Sequence, residues 1–154
     1  MKHSLKPAAL FLAFSLALPC AITQAADRGT REEAIAMVKK AVAQIKKDGL
    51  DKTIAAVNDP KGGYVDRDLY VVIYDLKGTN LAHGANPKMV GKDLSNIQDV
   101  DGVYFIRDRI EIAKTKGSGW QDYKFVNPVS KNIEPKSIYL ERSDNVIVGA
   151  GIYK

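Results

Sequence analysis

Two cations and a group of aromatic side chains are the residues of this chain best placed to do chemistry, and the chemistry they fit is the holding of an anion. Gly117 to Tyr139 reads as two short strands joined by a polar turn, with aromatic and cationic side chains on both. Strand side chains alternate, so Trp120, Asp122 and Lys124 share one face and Gln121, Tyr123 and Phe125 the other; Lys136 and Ile138 separate likewise from Ser137 and Tyr139. A strand that packed only a core would show hydrophobic residues alone on its inner face. Aromatics mixed with Lys136 point instead to a small pocket, and one suited to anions. The plainer alternative is a sheet surface carrying ordinary Lys and Tyr, with the single Trp in a core.

The second cation sits on a helix. Val103 to Lys116 has Val103, Ile106, Ile110 and Ala113 on one stripe, with Phe105 and Ile112 beside it. At 100° per residue Arg109 falls inside the apolar arc and Arg107 just outside it. A helix laid on a sheet would bury or half-bury Arg109, which then needs a carboxylate from the protein or from a ligand; snorkelling to the surface is the other outcome open to it. Catalytic machinery is missing from the pattern. His83 is the one histidine beyond the N-terminal segment and Cys20 the one cysteine, which leaves no triad, nucleophile motif or zinc cluster; no enzymatic activity, cofactor or metal is expected.

The elements that must position these residues follow from periodicity and punctuation. Thr30-Arg31-Glu32-Glu33 is a capping box opening a helix with Ala34, Ile35, Val38, Ala41, Val42 and Ile45 on one face, Lys39, Lys40, Lys46 and Lys47 on a solvated one, and a stop at Asp48-Gly49. A shorter helix is expected from Asp51 to about Val57. Leu69 to Tyr74 is a β-branched and aromatic run without alternation, hence a central strand covered on both sides. Asp75 to Thr79 supplies a turn, Asn80 to His83 a returning strand, and Gly84 to Asp101 a loop. Asn145 to Tyr153 is a last strand whose Gly149 and Gly151 share a face where something packs close. The order predicts an α+β domain with an antiparallel sheet and helices segregated to one face.

Residues 1–25 have a basic head, an apolar stretch from Ala8 to Leu18 and a small-residue cleavage signal at Thr23-Gln24-Ala25. This is the pattern of a secretory signal peptide cleaved near Ala25/Ala26, which makes residues 26–154 one exported, periplasmic or secreted domain. No later stretch approaches the roughly 20 apolar residues of a transmembrane helix. Leu18-Pro19-Cys20-Ala21 leaves lipidation of Cys20 as an alternative, with Pro where a small residue is expected. The chain carries 23 basic and 18 acidic residues; without Lys2 and Lys6 it carries 21 against 18, a net +3. Acidic and basic residues alternate rather than forming a stripe, which argues against nucleic acid as a partner.

From Asp66 on, the chain resembles the single-Cache family of the second type, the extracytoplasmic sensor domains of bacterial chemoreceptors and kinases. The matching pieces are Tyr70-Val-Val-Ile-Tyr-Asp75, Gly78-Thr-Asn-Leu-Ala-His83, Asn86-Pro87, Val90-Gly-Lys-Asp-Leu94, Asp99-Val-Asp-Gly102, Tyr104-Phe105, Gly119-Trp-Gln-Asp-Tyr123, Asn127-Pro128, Glu134-Pro-Lys-Ser137 and Gly149-Ala-Gly-Ile-Tyr153. The resemblance implies a PAS-like antiparallel sheet with a long N-terminal helix and a second helix packed on the sheet, holding a small organic ligand, commonly a short carboxylate. Members usually sit between two membrane helices leading to a signalling module. This chain ends at Lys154, so a free-standing periplasmic version is the expectation. Arg109 stands where the family more often looks apolar, which agrees with the helical-wheel argument for an anion.

The leading reading is a periplasmic module that binds a short carboxylate, with Lys136 and Arg109 as cationic partners, Tyr104 and Tyr123 as hydroxyl donors, and Trp120 and His83 closing the pocket. The alternative is an interaction subunit that docks on a membrane signalling or transport partner without a ligand of its own.

Overall fold

The computed structural model of the chain describes residues 28–154; the leader pattern and Cys20 lie outside the described residues. Helix α1 (Arg31–Asp48) starts where both halves of the capping box form. Thr30 accepts from the Glu33 backbone N–H, and the Glu33 carboxylate accepts from the Thr30 N–H. Gly49, at φ 94°, separates it from α2 (Leu50–Asn58). Next come β1 (Val65–Asp66), β2 (Leu69–Asp75) and β3 (Asn80–His83), then α3 (Phe105–Thr115), β4 (Ser118–Val126), β5 (Ile133–Ser143) and β6 (Val146–Tyr153). The two-residue β1 has no periodicity to announce it, and the predicted loop carries a single 3-10 turn at Pro87–Met89.

The antiparallel sheet runs β1-β2-β6-β5-β4, with β3 also on β2. Strand β2 is interior, flanked by β6 on one side and by β1 and β3 on the other, and it is buried along its length from Leu69 to Tyr74. Its alternation divides the core. Val71 and Ile73 pack with Ala34, Val38, Ala41 and Val42 of α1, while Tyr70, Val72 and Tyr74 pack with Phe105 and Ile106 of α3. The helices therefore cover opposite faces, and the expectation of one-sided cover is corrected. A strand with no solvent-facing residue needs a layer on each side, because a Val or Ile left exposed forgoes about 1.5–3 kcal/mol.

The α3 layer is tied down by loop contacts. Asp99 accepts from the N–H groups of Asp101 and Val103 and, with its other oxygen, from the N–H of Lys124 on β4, which sets the start of α3 beside the sheet. Arg107 donates to the Ser95 carbonyl at 3.0 Å and to Asn96, so Leu94 and Ile97 are held over the same apolar layer. Among the described residues no helix is long and apolar enough to cross a membrane.

Candidate functional site

The face of the sheet under α3 carries what the other face lacks, two buried cations. Lys136 on β5 and Arg109 on α3 are each 1 % exposed. Burying a lysine head in a sheet needs room, and the neighbouring strand supplies it. Lys136 pairs across with Tyr153, and its side chain leans over Gly151; a Cβ at Gly151 would stand 2.7 Å from Lys136 Cε. Gly149 does the same for Ile138, whose Cδ1 would lie 2.8 Å from an added Cβ. The two glycines predicted to face a close neighbour thus let two β5 side chains lie across β6.

Lys136 Nζ ends 3.8 Å from the centre of the Tyr70 ring and 4.6 Å from that of Tyr153. The Tyr153 hydroxyl donates to the Val126 carbonyl at 2.8 Å, so its lone pairs are left to accept from Lys136 Nζ at 3.3 Å and from the Tyr70 hydroxyl at 3.1 Å. Among the described residues no carboxylate lies within 4 Å of Lys136. Burial, and next the charge of Arg109, hold its pKa well below the ordinary lysine value, with Asp68 opposing them.

Arg109 is placed by its helix over three rings, 5.2 Å from Tyr74, 5.3 Å from Tyr123 and 5.7 Å from Phe105. Its Nε donates to Gln121 Oε1 at 3.2 Å, and Gln121 in turn donates to the Phe105 carbonyl. Its Nη2 is buried with no partner among the described residues. An unsatisfied guanidinium donor in an aromatic cage is costly unless something else accepts from it. Neither Glu111 nor Asp122 fills that role: Glu111 is exposed, and Asp122 pairs with Ser137 and with Lys154.

His83 ends β3 beside the cage, stacked on Tyr70 at 5.0 Å. Its backbone N–H donates to Asn58 of α2, and its Nδ1 accepts from the Asn86 N–H at 3.0 Å. The neutral ring then carries its proton on Nε2, a donor with no acceptor among the described residues. Burial first, then the charges of Lys136 and Arg109, push its pKa down to about 3. His83 and Tyr70 also line a cleft of about 270 Å³ with Ala85, Asn86, Phe125, Val126, Pro128 and Lys131, open to solvent. The cleft reaches the rings that surround Lys136.

Four of the six predicted site residues, His83, Arg109, Tyr123 and Lys136, meet on this face; Tyr123 is the direct cross-strand partner of Lys136 and stacks on Phe105 at 4.6 Å. The other two do not join them. Trp120 pairs with Tyr139 and packs on the α1 side, with the Arg31 guanidinium 3.7 Å above its ring, so it is separated from the cage by the sheet. Tyr104 precedes α3 at 38 % exposure and stacks with Arg107 at the surface. Sequence reasoning missed Tyr70, Tyr74 and Tyr153. Burial raises all three hydroxyls above the ordinary tyrosine range, which keeps them protonated as hydrogen-bond donors. The signal was present, since Tyr70 and Tyr74 lie four apart on one strand and share a face.

Comparison with known proteins agrees with this architecture. Residues 18–154 match the family described as Single Cache domain 2. A stretch of 90 residues, 57 % of the chain, is 31 % identical to the methyl-accepting chemotaxis protein McpP of Pseudomonas putida and makes up 16 % of that receptor. The chain thus spans about a sixth of the curated relative it matches. A crystal structure of a methyl-accepting chemotaxis protein from Vibrio parahaemolyticus superposes with a TM-score of 0.69 at 26 % identity, over 79 % of this chain and 86 % of that one. A structure titled as the basis for carboxylic acid recognition by a Cache chemosensory domain superposes at 0.67 with 23 % identity, over 79 % and 91 %; at that identity the likeness is one of fold.

Proposed function

The chain belongs to the single Cache domain 2 family, and from that premise we propose that it is an extracytoplasmic sensor domain whose α3-side cage binds a short-chain carboxylate. The observation that carries this reading is the pair of buried cations, Lys136 and Arg109, neither held by a carboxylate of the described residues, in one tyrosine-rich cage. A carboxylate between them accepts from Arg109 Nη2, from Lys136 Nζ and from His83 Nε2, and the Tyr123 hydroxyl adds a donor beside Arg109. Its short apolar tail meets Tyr70, Phe125 and Tyr123. The related solved domain named for carboxylic acid recognition supports the same ligand class. Residues 1–25 act in this reading as a cleaved leader, residues 26–154 form the domain, and a membrane signalling partner carries the output.

Ligand size limits affinity. An acid of about four to six heavy atoms, at a ceiling of about 1.5 kcal/mol per atom, gains roughly 6–9 kcal/mol and binds with a Kd of about 0.3 μM at best. The test is thermal unfolding of protein refolded from denaturant to strip bound acid, with acetate, propionate, lactate or pyruvate added. At a hundredfold excess over Kd the expected stabilisation is about 2.7 kcal/mol, a rise in Tm of roughly 5–15 °C. No rise with any of the four removes the carboxylate reading and favours the ligand-free interaction subunit.

A further inference from the structure

The surroundings of Lys136 are those of an amine more than of an ammonium ion. An ammonium carries three N–H donors and a full charge, and here it meets one oxygen acceptor, that of Tyr153, and otherwise only ring faces, those of Tyr70 at 3.8 Å, Tyr153 at 4.6 Å and Phe125 at 6.0 Å. Tyr70 faces it from β2, His83 from β3, Arg109 from α3, Tyr123 from β4 and Tyr153 from β6. The tyrosines are neutral at physiological pH, and Arg109 repels a second positive charge. Asp68, just before β2, is the one carboxylate of the described residues in electrostatic reach; its Oδ1 accepts from the Gly29 N–H at 2.7 Å, and it makes no ion pair with the lysine. With its stem laid over Gly151, the head cannot snorkel to water.

We propose that Lys136 is a neutral amine in the empty site and takes up one proton from solvent as a carboxylate enters, so that anion and proton bind as a pair. The inference rests on the carboxylate reading of the same site. The incoming acid is already ionised near neutral pH, so the proton does not come with it. Its charge supplies the counter-ion that Lys136 lacks, and the cage passes from one positive charge balanced by none to two balanced by one. No bond is made or broken besides the N–H of the ammonium. His83 stays neutral across the physiological range and leaves the uptake to the lysine. Because linkage is reciprocal, the acid raises the proton affinity of Lys136 as much as the proton raises that of the acid. Affinity then falls about tenfold for each pH unit above the empty-site pKa, and the domain reports acidity together with acid concentration.

The test is calorimetric titration of the refolded protein at pH 8 with acetate, propionate, lactate and pyruvate, each in phosphate, HEPES and Tris. The dependence of the observed heat on the ionisation enthalpy of the buffer counts protons. About one proton taken up per acid bound supports the proposal; binding with no uptake overturns it and leaves the carboxylate site standing. In parallel, the Lys136 13Cε resonance of ligand-free protein, assigned by its disappearance in Lys136→Met, is followed with pH. A neutral-amine shift at pH 8 is expected, and an ammonium shift there overturns the proposal even if no acid binds. Absence of binding by all four acids overturns the carboxylate reading, and the proposal falls with it.

Discussion

Replacing Lys136 with Met should leave the ligand-free fold as stable or more so, and should remove a pH dependence from it. The variant loses the hydrogen bond to Tyr153, about 1 kcal/mol, and the contact of the lysine head with the Tyr70 ring. In exchange, a thioether packs on the same ring, a contact of about 0.3–1.5 kcal/mol. A polar head no longer has to be taken out of water, which relieves about 1–3 kcal/mol. These terms come to roughly zero to 3 kcal/mol of stabilisation once the lost ring contact is counted; near pH 7 the variant is also spared the deprotonation of a neutral buried lysine, up to about 4.6 kcal/mol at about 1.4 kcal/mol per unit below about 10.4. Were Lys136 paired with a buried carboxylate, the same change would strand that partner and cost about 3–5 kcal/mol. The sign of the pH effect follows from burial, which lowers the lysine's pKa in the folded state. Between that lowered value and about 10.4 the unfolded chain binds the extra proton, so stability rises with pH, by up to about 1.4 kcal/mol per unit. The window from pH 7 to 9 isolates it. His83 titrates below it in both states, and the buried tyrosines, raised in the folded state, begin to lower stability only near and above pH 10. Urea melts of ligand-free protein at pH 7, 8 and 9 should show the parent gaining up to about 2.7 kcal/mol across the window while Lys136→Met gains none. Parallel curves, or a variant several kcal/mol less stable throughout, would refute the argument.

Gly151→Ala should cost about 1–3 kcal/mol and abolish the thermal shift with acetate or propionate, because its Cβ meets the Ser137 carbonyl oxygen at 2.8 Å as well as Lys136 Cε; Gly149→Ala, which meets the mobile end of Ile138, should be milder in melts and keep the shift. Trp120→Ala should lower stability yet change the affinity for the same acids less than twofold, since the sheet separates Trp120 from the cage; a tenfold loss in calorimetry would return it to the site. His83, with a folded pKa of about 3, should make stability fall as pH drops from about 6.5 towards 3, by up to about 1.4 kcal/mol per unit. Melts at pH 4 to 6.5 should find that slope shallower in His83→Gln, and equal slopes would contradict it.

How much of this was readable in the residues depends on the range over which each feature is decided. The capping box of α1, the turn before β3 and the burial of β2 depend on a few neighbouring positions, and all stand as read. Helical spacing put Arg109 inside the apolar arc and left burial and snorkelling both open; the structure has it buried. The side taken by each helix did not, because it depends on which face of the sheet each helix reaches after a connection. The clue was indirect: a strand buried on both faces demands two covering layers, and only α1, α2 and α3 with its preceding loop were available to make them.

Parity within a strand goes further, because it already excludes one of the predicted groupings. Trp120 and Tyr123 are three apart on β4, so a regular strand turns them to opposite faces and no single pocket on that sheet can take both. Choosing between them requires the pairing partner. Tyr123 opposes Lys136, and Lys136 opposes Tyr153, so the cation falls in with Tyr123, while Trp120 opposes Tyr139 on the α1 side. The same parity, carried across the register, collects Tyr70, Tyr74 and Tyr153 on the face of Lys136 and sets Gly151 beneath its stem. Long-range register is what individual residues cannot express. Once it is known, a lysine that looked like one cation among many becomes one with no ion-paired carboxylate among the described residues and no path to water, and the proposed chemistry of the site rests on that isolation.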